Sequence, residues 1–179
     1  RTHGITKDNS KFSIQYSTLN EPWYYEMQDI GYNYRITDFQ CALGSSQLKK
    51  LDNFVQKRRE IAKTYNEVFS NVDNLIIPET HNSVDHAYHL YPLQINFAKL
   101  GISKLEFFEK MNQAGVNLQV HYLPVHLQPF YQKNYGFKPG DFPISENFYD
   151  QEVSMPIYPD LSNEDVSFVV NNILDSISA

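Results

Sequence analysis

The stretch from Thr37 to Phe69 limits the fold more than any other part of the chain. Thr37-Asp-Phe-Gln40 has the form of a capping box, in which a Thr side chain accepts from the backbone and a Gln three residues on reaches back. Apolar residues then recur at Phe39, Ala42, Leu43, Leu51, Phe54, Val55, Ile61, Ala62, Tyr65, Val68 and Phe69, the spacing of one helix face. A single helix over 37–70 would be a rod of roughly 50 Å. Its opposite face carries Lys49, Lys50, Lys57, Arg59 and Lys63, which we read as a solvated face in an otherwise acidic chain. Cys41 falls between apolar positions and is expected to be a small buried hydrophobe. Directly before the helix, Gly31-Tyr-Asn-Tyr-Arg35 forms a compact polar loop that would hold an Asn and an Arg against a rigid support.

Downstream of Pro78 the pattern changes. Ala87 to Ile95 reads as a strand, with Pro92 suggesting an edge or irregular position. Ser103-Lys-Leu-Glu106 is a second capping box, opening a helix with Leu105, Phe108 and Met111 on one face and Gly115 at its C-terminal cap. Val116, Leu118, Val120 and Tyr122 then alternate with Asn117, Gln119 and His121, the pattern of a half-buried strand. Pro143 to Glu152 reads as a short helix and Val153 to Ile157 as a short strand. Ser162 caps a last helix with an acidic first turn, Glu164 and Asp165, and a core face of Val166, Val169, Val170, Ile173 and Ile177. Residues 1–36 read as irregular, with Thr2 to Thr6 closing a strand and Asp8 to Pro22 a polar loop. The expected fold class is α/β, or an α+β small domain: a long helix plus a small three-stranded sheet covered by helices.

Composition narrows the function classes. With 12 Phe and 13 Tyr and a hydrophobic fraction of 41%, a core is within reach. A formal charge of −6 argues against a general nucleic-acid binder, which needs a basic face to displace phosphate counterions. The single cysteine excludes an internal disulfide and makes a reducing cytoplasm the default expectation. No apolar run approaches a membrane span in length, so no membrane partner is expected. His81, His86 and His89 lack metal-ligand spacing, so no metal is expected either.

Two constellations could carry chemistry. Gln119 and His121 share one side of the 116–122 segment, and Tyr122, Pro124, His126, Gln128 and Tyr131 follow. Such side chains suit a hydroxyl-rich ligand, although a solvent-facing strand edge would read the same way. Asn33 and Arg35 are the second: an Asn amide can donate to a phosphate oxygen and an Arg can clamp one, or the pair can be turn chemistry with an Arg–Asp ion pair.

Several segments taken together resemble the DegT/DnrJ/EryC1/StrS sugar aminotransferases, a fold-type I group that uses pyridoxal phosphate. They are Arg1-Thr-His-Gly-Ile5, Trp23-Tyr-Tyr-Glu26, Gly31-Tyr-Asn-Tyr-Arg35, Thr37-Asp-Phe-Gln-Cys-Ala-Leu-Gly44, Gln47-Leu-Lys-Lys-Leu51 and Arg58-Arg-Glu-Ile-Ala62. Gly115 to His126, Gln128-Pro-Phe-Tyr131, Gly136 to Pro143 and Ser154-Met-Pro-Ile-Tyr-Pro159 are similar to the branch that works in pseudaminic acid biosynthesis. The resemblance implies a C-terminal portion of such an enzyme. Residues 1–36 would end the large cofactor-binding domain and form a cross-subunit loop, 37–70 would be a long connecting helix, and 71–179 the small domain. It implies that Asn33 reaches the phosphate of pyridoxal 5'-phosphate in a neighbouring subunit. It also implies that Arg35, Gln119, Val120, His121, Tyr122 and His126 line a UDP-sugar site. The Schiff-base lysine would lie N-terminal to Arg1, so this chain alone is expected to be inactive. The complete protein would be a homodimer with shared active sites, moving an amino group, from glutamate by expectation, to a UDP-4-keto-6-deoxy sugar. A non-catalytic dimerisation or carbohydrate-binding module of the same fold is the alternative reading.

Overall fold

The structure, a computed structural model, describes residues 3–12 and 22–178. The expected loop from Asp8 to Pro22 therefore lies largely outside the described residues, as does the start of the expected 2–6 strand. The chain divides into two compact units, residues 1–50 and 51–179.

In the first unit, β1 (Ile5–Thr6) pairs antiparallel with β2 (Glu26–Met27), Ile5 opposite Met27 and Thr6 opposite Glu26. Two glycines permit the close backbone approach beside this pair. A Cβ on Gly31 would lie 2.2 Å from the Gly4 nitrogen, and one on Gly4 would lie 1.7 Å from the Asp29 carbonyl oxygen, so neither position accepts a side chain. The polar loop after Gly31 leads to α1 (Asp38–Leu48), whose N-terminus carries the expected capping box: the Gln40 N–H donates to Thr37 Oγ1 and the Thr37 N–H donates to Gln40 Oε1. No residue of α1 is buried. Cys41 is exposed, which corrects its expected burial: a helix face is covered only by what packs on it, and a two-residue strand pair offers no apolar layer.

The expected single helix over 37–70 is two helices. The Lys50 N–H bonds back to the Gln47 carbonyl, an i→i+3 turn that ends α1, and α2 (Leu51–Phe69) begins at the next residue. α2 opens the second unit and buries Ile61, Ala62, Tyr65 and Phe69. Its polar face holds the pairs Lys57–Glu60 and Lys63–Glu67. Arg58 and Arg59 do more than face water. Arg58 Nη1 donates to the carbonyls of Tyr88, His89 and Ile157, and Arg59 donates to the carbonyls of Asp85 and His86 and pairs with the Asp85 carboxylate. These arginines hold residues 85–89 outside the sheet, which is why the strand expected over 87–95 shrinks to β4 (Pro92–Ile95).

The sheet runs β3 (Leu75–Ile76), β4, β5 (Glu152–Ser154), antiparallel throughout. Pro92 thus opens the middle strand rather than marking an edge, and the first position of a strand tolerates its missing N–H. β3 was not expected and supplies the third strand, beside β4, while the expected strand over 116–122 makes only one bridge, Gln119 to Ser154 of β5. The reason lies two residues on: the His121 N–H goes to the Glu152 side chain and not to a strand carbonyl, so the ladder stops. A short turn, α3 (Phe97–Leu100), follows β4. α4 (Lys104–Gln113) has the expected capping box at Ser103, but its buried face is Phe107 and Met111, while Leu105 is exposed. The positive φ of Gly115 matches its expected place past the helix end. α5 (Pro129–Tyr135) arises where only a loop was expected, from a proline at its first turn and Gly136 in the left-handed region at its end. α6 (Pro143–Gln151) and α7 (Asn163–Ile177) form as expected, α7 with Val166, Val169, Val170 and Ile173 buried. Tyr65, Phe69, Tyr91, Leu93, Ile95, Phe107, Met111, Val153 and Ile173 are fully buried at the centre of the second unit. The two buried phenols there are satisfied: Tyr65 donates to the Pro156 carbonyl and Tyr91 to Asn66 Oδ1.

Candidate functional site

In the first unit Asn33 and Arg35 are both exposed on the loop that precedes α1. The Arg35 N–H donates to Asn33 Oδ1 at 3.4 Å, an Asx-type turn. With its oxygen so used, the Asn33 carboxamide presents its NH₂ as a donor, the polarity a phosphate needs. Arg35 has no ion-pair partner among the described residues, so the alternative of an Arg–Asp ion pair does not form there. Tyr32 and Tyr34 flank Asn33 and stack with ring centroids 5.3 Å apart.

In the second unit Gln119, Val120, His121 and Tyr122 follow one another past β5. The Gln119 backbone exchanges two hydrogen bonds with Ser154, at 3.3 and 2.8 Å. This anchors a segment whose next residues turn outward. Gln119 and Tyr122 are exposed, and Val120 and His121 are half-buried. The expected alternation therefore holds at Val116 and Leu118, which are buried, and fails at Tyr122, whose ring stands in solvent beside that of His121. The His121–Tyr122 peptide bond is cis.

Beneath His121 lies a polar group that sequence reasoning missed. Glu152 is 1% exposed and Ser154 is 4% exposed. The His121 N–H donates to Glu152 Oε2 at 3.0 Å, the Ser154 hydroxyl donates to Glu152 Oε1, and His121 Nδ1 lies 2.7 Å from Ser154 Oγ. The signal was a period-2 alternation, Glu152 and Ser154 on one side of Val153, hidden because Glu152 reads equally well as the end of a helix. Lys104 is nearby: its ammonium donates to the Tyr149 carbonyl at 2.6 Å and sits over the Tyr149 ring. Burial holds its pKa below the ordinary lysine range, against the opposing fields of Glu152 and Asp150.

His126 does not join His121 at the surface. It is 7% exposed, and its Nε2 lies 2.8 Å from Glu146 Oε1. Glu146 also accepts from the N–H groups of Gly140, at 2.9 Å to each oxygen, and Phe142, at 3.3 Å. The Gly140 bonds, then His126, hold the Glu146 carboxyl below the ordinary glutamate range. The ring expected to face a ligand is instead part of a clamp that closes the 136–142 turn. Beside it Val125, His126, Tyr131, Phe137, Phe142 and Ser145 line a hollow of about 350 Å³. Among the described residues no group of three metal-ligating side chains comes together, and no helix is long and apolar enough to cross a membrane.

Comparison with known proteins places the chain in a family. The chain is 39% identical over 176 residues to the spore coat polysaccharide biosynthesis protein SpsC of Bacillus subtilis, covering 98% of this chain and 44% of that protein. It is 34% identical over 173 residues to the UDP-4-amino-4,6-dideoxy-N-acetyl-β-L-altrosamine transaminase of Campylobacter jejuni, covering 97% of this chain and 42% of that protein. The chain thus spans less than half the length of these relatives. Among solved structures, PseC of Helicobacter pylori, an aminotransferase of pseudaminic acid biosynthesis, superposes with a TM-score of 0.80 at 29% identity over 99% of this chain and 44% of its own. The family pattern described as the DegT/DnrJ/EryC1/StrS aminotransferase family matches residues 1–174, and the chain belongs to that family.

Proposed function

We propose that this chain is the C-terminal portion of a pyridoxal-phosphate-dependent nucleotide-sugar aminotransferase. It contributes one wall of a sugar site and a phosphate-binding loop. The observation that carries the reading is the His121 group: a half-exposed histidine whose ring meets buried Ser154 and whose backbone N–H donates to buried Glu152, flanked by exposed Gln119 and Tyr122. A ring held on rigid β5 and open on its other side is built to make a directed hydrogen bond, as sugar hydroxyls require.

The family works with pyridoxal 5'-phosphate, and solved relatives carry its pyridoxal or pyridoxamine form. The Asn33 amide fits one part of that cofactor, since its outward NH₂ can donate to a phosphate oxygen. When bound, the cofactor supplies the electron sink that lets an amino group be exchanged for a keto group. The chain's own residues bind and orient. Asn33 grips the phosphate, in a neighbouring subunit on the homodimer reading. Arg35, exposed and without an ion-pair partner among the described residues, faces an anionic group of cofactor or substrate. Gln119 and His121 hold the sugar, Tyr122 covers it, and the apolar hollow beside His126 receives a flat ring such as the nucleotide base. The substrate we assign is a UDP-4-keto-6-deoxy sugar, with glutamate as amino donor, in a surface-glycan route such as pseudaminic acid biosynthesis in the cytoplasm. The C. jejuni relative's name supports this sugar class, and the SpsC relative supports a surface polysaccharide more broadly.

The test is spectroscopic. The complete protein, loaded with pyridoxal phosphate, should show the visible band of bound cofactor and lose it on adding glutamate. Adding a UDP-4-keto sugar should restore the band. A band indifferent to both additions would end the proposal.

A further inference from the structure

The residues under His121 decide which ring nitrogen carries its proton. We propose that Glu152 and Ser154 are positioning residues that hold His121 as its Nδ1–H tautomer, so that a bare Nε2 accepts a hydrogen bond from a sugar hydroxyl or acetamido N–H. The proposal rests on the sugar-site reading given above.

The supply of protons sets the tautomer. The two oxygens of Glu152 face different donors, Oε2 the His121 N–H and Oε1 the Ser154 hydroxyl. A carboxylate only accepts, and a serine hydroxyl has a single proton to give. Once that proton points at Glu152, Ser154 Oγ has only lone pairs to offer His121 Nδ1, 2.7 Å away. Nδ1 must then be the donor, and in the neutral ring Nε2 is left bare. Nε2 has no hydrogen-bond partner among the described residues, and the ring is half-exposed, so this lone pair faces the open side. The charges near the group favour the same arrangement: the Lys104 ammonium lies within the field of Glu152. Glu152 and Ser154 are fixed in turn by β5, where Glu152 pairs with Gln94 and Ser154 with Pro92 and Gln119. The support is therefore sheet rather than loop.

A ligand-chemistry consequence follows. A bare imidazole nitrogen attracts hydroxyl and N–H donors and repels diphosphate oxygens, which only accept. His121 therefore reads the sugar end of a nucleotide sugar and not its phosphates.

The test uses the complete protein with ¹⁵N-labelled histidine, His121 being assigned by its loss in His121→Ala. The expected spectrum shows Nδ1 protonated and Nε2 bare. Glu152→Gln offers Ser154 an N–H donor, which turns the hydroxyl toward His121 and drives the proton to Nε2. The expected result is the opposite tautomer and a roughly tenfold weaker Kd for UDP-4-amino-4,6-dideoxy-N-acetyl-β-L-altrosamine, the value of one lost hydrogen bond. An Nε2–H ring in the unsubstituted protein overturns the relay, and that spectrum decides the matter even if Glu152→Gln does not fold. Glu152→Gln with an unchanged tautomer and Kd overturns it as well. His121→Ala with unchanged Kd overturns instead the sugar-site reading beneath it.

Discussion

Two residues of similar promise in the sequence, His121 and His126, have opposite surroundings. His121 spends one nitrogen on Ser154 and keeps the other toward solvent. His126 is buried, with its Nε2 committed to Glu146. His121→Ala should therefore raise the KM for a UDP-sugar by roughly tenfold while leaving the melting temperature nearly unchanged. His126→Ala should instead lower the melting temperature, because it breaks the clamp on Glu146. Kinetics and calorimetry on the same two variants check both, and a matched pair of profiles would erase the distinction. Asn33→Ala removes one charge-assisted donor. Pyridoxal phosphate should bind about tenfold or more weakly to it, read by equilibrium dialysis, and unchanged retention would return Asn33 to a turn residue. Among the candidate site residues the exposure of Gln119 was legible in the sequence, because polar residues alternating with apolar ones announce a surface, though the same alternation misplaced Tyr122. Glu152 and Ser154 were not, since they meet His121 across more than thirty residues of chain.

At the scale of elements, what is local was legible and what is long-range was not. The capping boxes at Thr37, Ser103 and Ser162 all form, because each needs only four consecutive residues. The expected 116–122 strand dissolves because its ladder depends on what β5 offers. The 87–95 strand shortens because Arg58 of α2 takes the carbonyls of Tyr88 and His89, and Arg59 those of Asp85 and His86 just before it. The caps are worth measuring: Ser162→Ala should cost about 1 kcal/mol of stability by urea denaturation. The 136–142 turn depends on pH through Glu146. A carboxyl whose folded pKa is depressed stabilises fully above its unfolded value, and that contribution is lost as pH falls through the lower folded value. The Gly140 amide resonance, whose N–H donates to Glu146, should titrate with a midpoint below the ordinary glutamate value of about 4.3. It should cease to titrate in Glu146→Gln. A midpoint at or above the ordinary value would mean that the clamp does not hold the charged form.

At the scale of the molecule the two units differ in how they treat apolar surface. The second unit has a core, from Tyr65 and Tyr91 to Phe107 and Ile173, around one centre, although Ile144 and Leu105 stay exposed outside it. The first leaves Ile30 95% exposed, Phe39 80% and Ile36 63%, and nothing in α1 is buried. Phe39 and Leu43 stand four residues apart, so they share one helix face. Exposed apolar surface gathered in this way marks a place where another protein surface belongs. In the proposed homodimer that surface comes from the rest of the enzyme. For the 179-residue chain by itself another copy can supply such a surface. Sedimentation velocity should therefore show self-association that rises with concentration, and Phe39→Glu with Leu43→Lys should reduce it without loss of helical signal. Residues 51–179 expressed separately should sediment as a smaller, less associating species, because their core is their own. If the 179-residue chain stays monomeric at all concentrations and binds no apolar dye, α1 would have to be covered in a way that leaves no free face, and the assignment of that helix to an interface fails.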